Sequence, residues 1–251
     1  MLKENMIHLG DCLDLMPSIP SKSVDMILCD LPYGTTACEW DSIIDMARLW
    51  AEYERVIKDN GAIVLTASGV FVFALYASNP KLYRYKMIYV KTQKTRFLDA
   101  KIKPLGQHED VLIFYKKLPT YNPQMQEGKP YYTAKIKPTS IGKSVSNDID
   151  LVRLPTENNG GRYPSDVVQF NYERGFHPTQ KPVALFEYLI KTYTNEGELI
   201  LDNCSGSGTT AIACMNTNRR FICIERDETY HRKSIERMNN HEPLFHLGGK
   251  C

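Results

Sequence analysis

The stretch LILDNCSGSGTTA, Leu199 to Ala211, constrains the fold more than any other part of the sequence. An apolar run closed by an acid, then two spaced glycines, then a helix-forming segment reads as strand, tight turn and helix. Glycine at positions 206 and 208 lets a ligand approach main-chain NH groups where the helix begins. Gly206, Gly208 and Ala211 satisfy G-x-G-x-x-A, while no Lys-Ser or Lys-Thr pair follows, so the pattern is not a P-loop. Only 43 residues remain after Gly208, too few to complete a sheet. The other strands must therefore come first, which predicts an α/β sheet with a permuted strand order.

Apolar patterning supplies those strands. It predicts them at 6–9, 24–29, 62–66, 85–90, 110–115, 199–202 and 221–225, with the 85–90 and 110–115 pair open to an antiparallel arrangement. Helices are expected at 41–58, stopped near Asn60-Gly61, and at 70–77, 183–193, 210–216 and on to about Met238. Residues 117–176 differ, being rich in Pro, Asn, Gly, Ser and Lys with weak periodicity. The expected organisation is thus 1–116 as one half of a domain, 117–176 as an inserted lobe, and 177–251 as the second half.

Composition narrows the setting. A hydrophobic content of 43% suffices for a substantial core, and a net charge of +2 neither requires nor excludes a polyanionic partner. The 7 cysteines include no CxxC pair, which argues against a zinc site or a disulfide framework and favours a reduced, cytoplasmic location. No secretory segment opens the chain and no apolar run approaches the roughly 20 residues of a membrane span, so neither a metal nor a membrane partner is expected.

Strand 24–29 runs into Asp30-Leu31-Pro32-Tyr33. With Gly206-Ser207-Gly208 far downstream, this tetrapeptide resembles the D-P-P-Y-like motif of the amino-methyltransferases of DNA. Tetrapeptide first, variable region next and glycine loop last is similar to the β class of that family. His177-Pro178-Thr179-Gln180-Lys181-Pro182 and Gly10-Asp11-Cys12 extend the resemblance over nearly the whole chain. Leu31 stands where the family has a first proline, and Asn203-Cys204 where it often has Pro-Phe. The resemblance implies a Rossmann-like, S-adenosylmethionine-dependent methyltransferase fold, circularly permuted in motif order, with 117–176 as the target-recognition region.

The chemistry of an aromatic amine explains the residue types. Its lone pair is delocalised into the ring, so acceptors for both NH hydrogens favour a more tetrahedral, nucleophilic nitrogen. By resemblance, Asp30 and the Pro32 carbonyl are those acceptors, and Tyr33 stacks on a base flipped out of the duplex. The same resemblance assigns Glu225 to the cofactor's ribose hydroxyls, Asp11 to its adenine or methionine end, and Asp202 to its amino group. Gly206 and Gly208 line the methionine moiety, Thr179 and Lys181 cap and position a cofactor-side loop, and Asp30, Asn203 and Thr209 complete the cofactor set. His177 is not favoured as a general base. A C5-cytosine enzyme using Cys29 or Cys38 is rejected, because no Pro-Cys dipeptide occurs.

Double-stranded DNA is the expected partner. Residues 91–103, KTQKTRFLDAKIK, set Lys91, Lys94, Arg96, Lys101 and Lys103 against the single acid Asp99, a cluster suited to phosphates. Adenine N6 is the expected acceptor, since tetrapeptides beginning with Asp go more often with adenine in this family. N4-cytosine, a non-catalytic nucleic-acid-binding protein on the same fold, a nicotinamide oxidoreductase and an RNA substrate stay open as alternatives. So do monomer against homodimer, and a restriction endonuclease partner.

Overall fold

The computed structural model describes residues 1–34, 44–134, 155–171, 173 and 180–241. From the amino terminus come β1 (Met6–Leu9), α1 (Cys12–Leu15), β2 (Val24–Asp30), α2 (Met46–Val56), β3 (Ile57–Ala67), α3 (Phe71–Ser78), β4 (Tyr83–Thr95) and β5 (Gly106–Phe114). The short strands β6 (Gln126–Glu127), β7 (Tyr131–Thr133), β8 (Thr156–Asn158) and β9 (Gly161–Arg162) form two antiparallel ribbons, β6 with β9 and β7 with β8. They belong to a compact unit of their own, Pro123–Ser165. The chain then continues with β10 (Val167–Phe170), α4 (Val183–Tyr193), β11 (Leu199–Asp202), α5 (Thr209–Asn216), β12 (Arg220–Glu225) and α6 (Glu228–Asn239). These complete the larger unit, Met1–Asn122 with Asp166–Cys251.

One sheet of eight strands, ordered β1, β12, β11, β2, β3, β5, β4, β10, organises the larger unit. Strand β2 explains its own composition. Its Ile27 and Cys29 join a core with Leu49, Trp50 and Tyr53 of α2, while Met26 and Leu28 join the opposite core with Leu185 and Leu189 of α4. Covered on both faces, the strand is apolar at almost every position instead of alternating. Helix α2 buries Leu49, Trp50, Tyr53 and Val56, one helical stripe, and Asp45 caps its start by accepting from Ala47 N and Arg48 N.

Parallel pairing of β1, β12, β11, β2 and β3 puts their carboxyl ends on one edge of the sheet. Strand β5 is antiparallel to β3 and β4, so its amino end reaches that same edge and β4 runs the same way as β3. The permuted order expected from the glycine turn is therefore present, with β11 and β12 slotted between β1 and β2.

Several elements depart from the sequence expectation. The helix ends at Val56 and β3 begins at Ile57, so Asn60-Gly61 lies inside a strand and not at a helix stop. Between Val24 and Met26 the pairing jumps from Ile57 to Ala62, a bulge that accommodates the extra residues. Strands β4 and β5 continue to pair with each other, out to Thr95 and Gly106, past the last β3 partner at Asp110, where polar residues hide the strand signal. Strand β10, within the segment expected as an inserted lobe, pairs with β4 in the main sheet. Among the described residues no helix is long and apolar enough to cross a membrane, and no group of three or more His, Cys, Asp and Glu could hold a metal ion.

Candidate active site

A cavity of about 220 Å³ opens at the carboxyl edge of the sheet, where α/β proteins place ligands. Its lining comes from both ends of the sequence. Gly10, Asp11, Asp30, Pro32 and Tyr33 contribute from the first half, and Lys181, Asp202, Asn203, Gly206, Thr209 and Glu225 from the second.

Asp30 ends β2 beside Thr66 of β3, its neighbour in register. Its Oδ1 accepts from the Tyr33 hydroxyl at 2.8 Å and from the Thr66 hydroxyl, and Lys181 Nζ stands 2.6 Å from Oδ2. A carboxylate offers about four lone-pair sites. Three are thus engaged by fixed protein donors, which orient the group and leave room for one more hydrogen. Tyr33 stacks against Phe71 with ring centroids 5.0 Å apart, and Lys181 Nζ lies 5.7 Å from its ring centroid. Burial, with the Asp30 charge adding to it, pushes the Tyr33 hydroxyl well above its ordinary pKa and keeps it a donor.

Lys181, expected to cap and position the cofactor-side loop, lines the cavity and turns its buried ammonium toward the tetrapeptide, bridging Asp30 and Glu109 with 3.1 Å to Glu109 Oε2. Lys91 pairs with the other oxygen of Glu109, so this lysine, expected at phosphates, is committed to the site. Burial pulls the Lys181 pKa down; Asp30, Tyr33 and Glu109 outweigh it and hold the ammonium well above its ordinary pKa. Burial would likewise raise Glu109, but Lys181 and Lys91 bring its carboxyl below the usual value. The result is a chain of alternating charge, Lys91, Glu109, Lys181, Asp30, in a poorly hydrated place.

The glycine turn folds around Glu225. Gly206, at φ 51°, donates its NH to Glu225 Oε2 at 2.7 Å, and Asp227 NH donates to Oε1 at 2.8 Å. Burial raises the pKa of the Glu225 carboxyl against the pull of these NH groups. Asp202 is buried completely, with Cys204 NH on Oδ1 at 3.0 Å and the Thr210 hydroxyl on Oδ2. Burial lifts its pKa to about 6 despite those bonds. Gly208 does not line the cavity: it is required because a Cβ there would come within 3.1 Å of Ser234 and 3.3 Å of Ile7, at a φ of 77°. Asn203 reaches the lining with its side chain turned away, its Oδ1 accepting from the Tyr53 hydroxyl. Asp11 caps α1 through Leu13 NH at 2.8 Å while facing the cavity. Thr209 accompanies it in the lining, bonded to the Lys181 carbonyl at 3.4 Å.

Thr179 and His177 lie outside the described residues, as does Cys38. Sequence reasoning missed Thr66, Phe71, Glu109 and Ser205. The hint for Glu109 was an acid pair, Glu109-Asp110, opening an apolar strand. Ser205 Oγ is a buried hydroxyl of the lining with no hydrogen-bond partner among the described residues, which marks a place for a polar ligand atom.

Residues 24–236 match the sequence model of a family described as DNA methylase (N6_N4_Mtase). The DNA adenine methyltransferase YhdJ of Escherichia coli (strain K12) is 28% identical over 257 residues, covering 94% of this chain and 83% of that protein. Among solved structures, a complex of M1.HpyAVI with S-adenosylmethionine superposes with a TM-score of 0.62 at 22% identity, covering 92% of this chain and 98% of that one. The PvuII DNA methyltransferase (cytosine-N4-specific) gives 0.65 at 17%, covering 94% and 87%. These two likenesses establish the Rossmann-like methyltransferase fold.

Proposed function

Because the chain belongs to the N6/N4 DNA methylase family, we propose that it methylates adenine N6 in duplex DNA with S-adenosylmethionine as donor. The observation that carries this reading is the Asp30 carboxylate, fixed by three donors beside a cavity that has cofactor-type groups at its other end. Its remaining acceptor site takes one hydrogen of the target amine, and the Pro32 carbonyl takes the other. The nitrogen then turns toward tetrahedral geometry with its lone pair aimed into the cavity. Tyr33, backed by Phe71, is the platform for the flipped base.

The donor-binding residues fit the group they would hold. Glu225 has acceptor sites left for two ribose hydroxyls, Asp202 is an acid placed for an ammonium, and the unsatisfied Ser205 hydroxyl meets the polar methionine end. S-adenosylmethionine supplies an electrophilic methyl group. The protein's task is to orient the amine and exclude water, with Lys181 and Glu109 balancing charge around Asp30.

The acidic first residue of the tetrapeptide and the similarity to an adenine methyltransferase support adenine. Cytosine N4 is the second reading, favoured by the likeness to an N4-specific fold neighbour. The unit Pro123–Ser165, inside the expected recognition region, is proposed to contribute to target choice. Residues 135–154 of that region lie outside the described residues. Labelled S-adenosylmethionine incubated with unmethylated duplex DNA, followed by nucleoside mass spectrometry, tests the proposal. N6-methyladenine is the expected product. N4-methylcytosine would overturn the choice of base, and no methylated nucleoside would overturn the activity.

A further inference from the structure

The loop joining β4 to β5 carries an exposed apolar tip that neither fold nor catalysis uses. Leu98 is 99% exposed, Ile102 84% and Phe97 68%. Single exposed apolar residues are ordinary, but three within six positions on one projecting loop are not. The tip is also built. Asp99 NH donates to the Arg96 carbonyl at 3.0 Å, Ile102 NH to the Asp99 carbonyl at 2.8 Å, and Lys103 pairs with Asp99 at 2.9 Å. Arg96 holds the entry in a left-handed conformation, φ 67°, which residues with a side chain rarely adopt.

Place and charge indicate the occupant. Strand β4 runs the same way as β2 and β3, so its carboxyl end leads the tip out from the sheet edge that holds Asp30. At the base of the hairpin, Lys91 meets Glu109, which meets Lys181 on Asp30. Around the apolar tip stand the exposed cations Lys94, Arg96, Lys101 and Lys103. A partner that is anionic outside and apolar where it opens fits this surface, and a duplex being parted between base pairs is such a partner.

We propose that Leu98, supported by Phe97 and Ile102, is a wedge that enters the DNA base stack as the target base leaves it. The inference rests on the reading of the chain as a DNA methyltransferase. The cations hold the phosphates on either side, and the leucine fills the space the extruded base vacates. Parting a base step is unfavourable, and the buried wedge offsets that in part.

The test separates the wedge from the transfer reaction. Wild-type protein and the Phe97→Ala/Leu98→Ala variant are bound to unmethylated genomic duplex DNA and probed with permanganate, which oxidises thymines that have lost their stacking. Wild type is expected to give discrete reactive thymines. The variant should lose them, with methyl transfer slowed by about tenfold or more. Its DNA dissociation constant and salt dependence should stay within about twofold, since the cations remain. Leu98→Met, which keeps an apolar wedge, should behave as wild type. Unstacked thymines that persist in the double variant overturn the inference, and so does a wild type that transfers methyl groups without unstacking any. Binding of the tip to anionic phospholipid vesicles, with thymine reactivity unchanged in the variant, would assign the surface to a membrane instead. Failure of wild type to transfer any methyl group would count against the proposed function and leave the thymine signal to judge the wedge.

Discussion

Asp202 shows how one buried carboxyl ties stability to binding. Burial raises its pKa to about 6, against an unfolded value near 3.9. A raised folded pKa means the native state binds the proton more tightly. This group's stabilising contribution is therefore full below about pH 4 and lost as pH rises through about 6, a swing of about 3 kcal/mol. An acid that receives an ammonium must be ionised, so ligand affinity runs the other way. Calorimetry with S-adenosylmethionine should show binding weakening from pH 7 to pH 5, while urea melts of the ligand-free protein show this contribution to stability increasing. Asp202→Asn should flatten both trends. Burial raises Glu225 as well, so the comparison with Asp202→Asn isolates the first group. At this scale the sequence was informative wherever a motif fixed the spacing, as at Asp30, Asp202 and Glu225. It was silent on Thr66, which reaches Asp30 because β3 lies next to β2, and on Glu109 of β5, one strand further on, which is linked to Asp30 through Lys181.

The elements were legible where burial imposed a pattern and not where geometry overrode it. Strand β2, buried on both faces, was evident as a continuous apolar run. Asn60-Gly61 looked like a helix stop because Asn-Gly usually is one. Its real reason is crowding inside β3, where a Cβ on residue 61 would sit 2.7 Å from the Asp25 carbonyl and 2.7 Å from the Ile57 side chain. Main-chain oxygen cannot give way cheaply, so Gly61→Ala should destabilise the protein by about 1–3 kcal/mol. A urea midpoint equal to that of wild type would show that the strand relaxes around the methyl group. The β4–β5 hairpin escaped full recognition for the opposite reason. Its outer half extends past the β3 partner into solvent, so no strand periodicity survives there.

On the scale of the molecule, two stretches of chain far apart in sequence share one cavity and divide the work. The amino-terminal half brings the tetrapeptide that is proposed to hold the target amine. The carboxyl-terminal half brings the glycine turn and Glu225, proposed to hold the donor. The strand order predicted from the residues left after Gly208 made this meeting legible in outline, because a permuted sheet must bring β11 and β12 between β1 and β2. What the order could not convey was Lys181, which crosses from the second half to bind the acid of the first. The division of labour is tested by measuring two variants with two readouts: S-adenosylmethionine binding by calorimetry and methyl transfer into duplex DNA. Asp30→Ala is expected to keep the donor dissociation constant within about threefold while losing transfer by a factor of about a hundred or more. Glu225→Ala should weaken donor binding by about tenfold or more through loss of the ribose contact. Transfer that survives in Asp30→Ala would contradict the account at its centre.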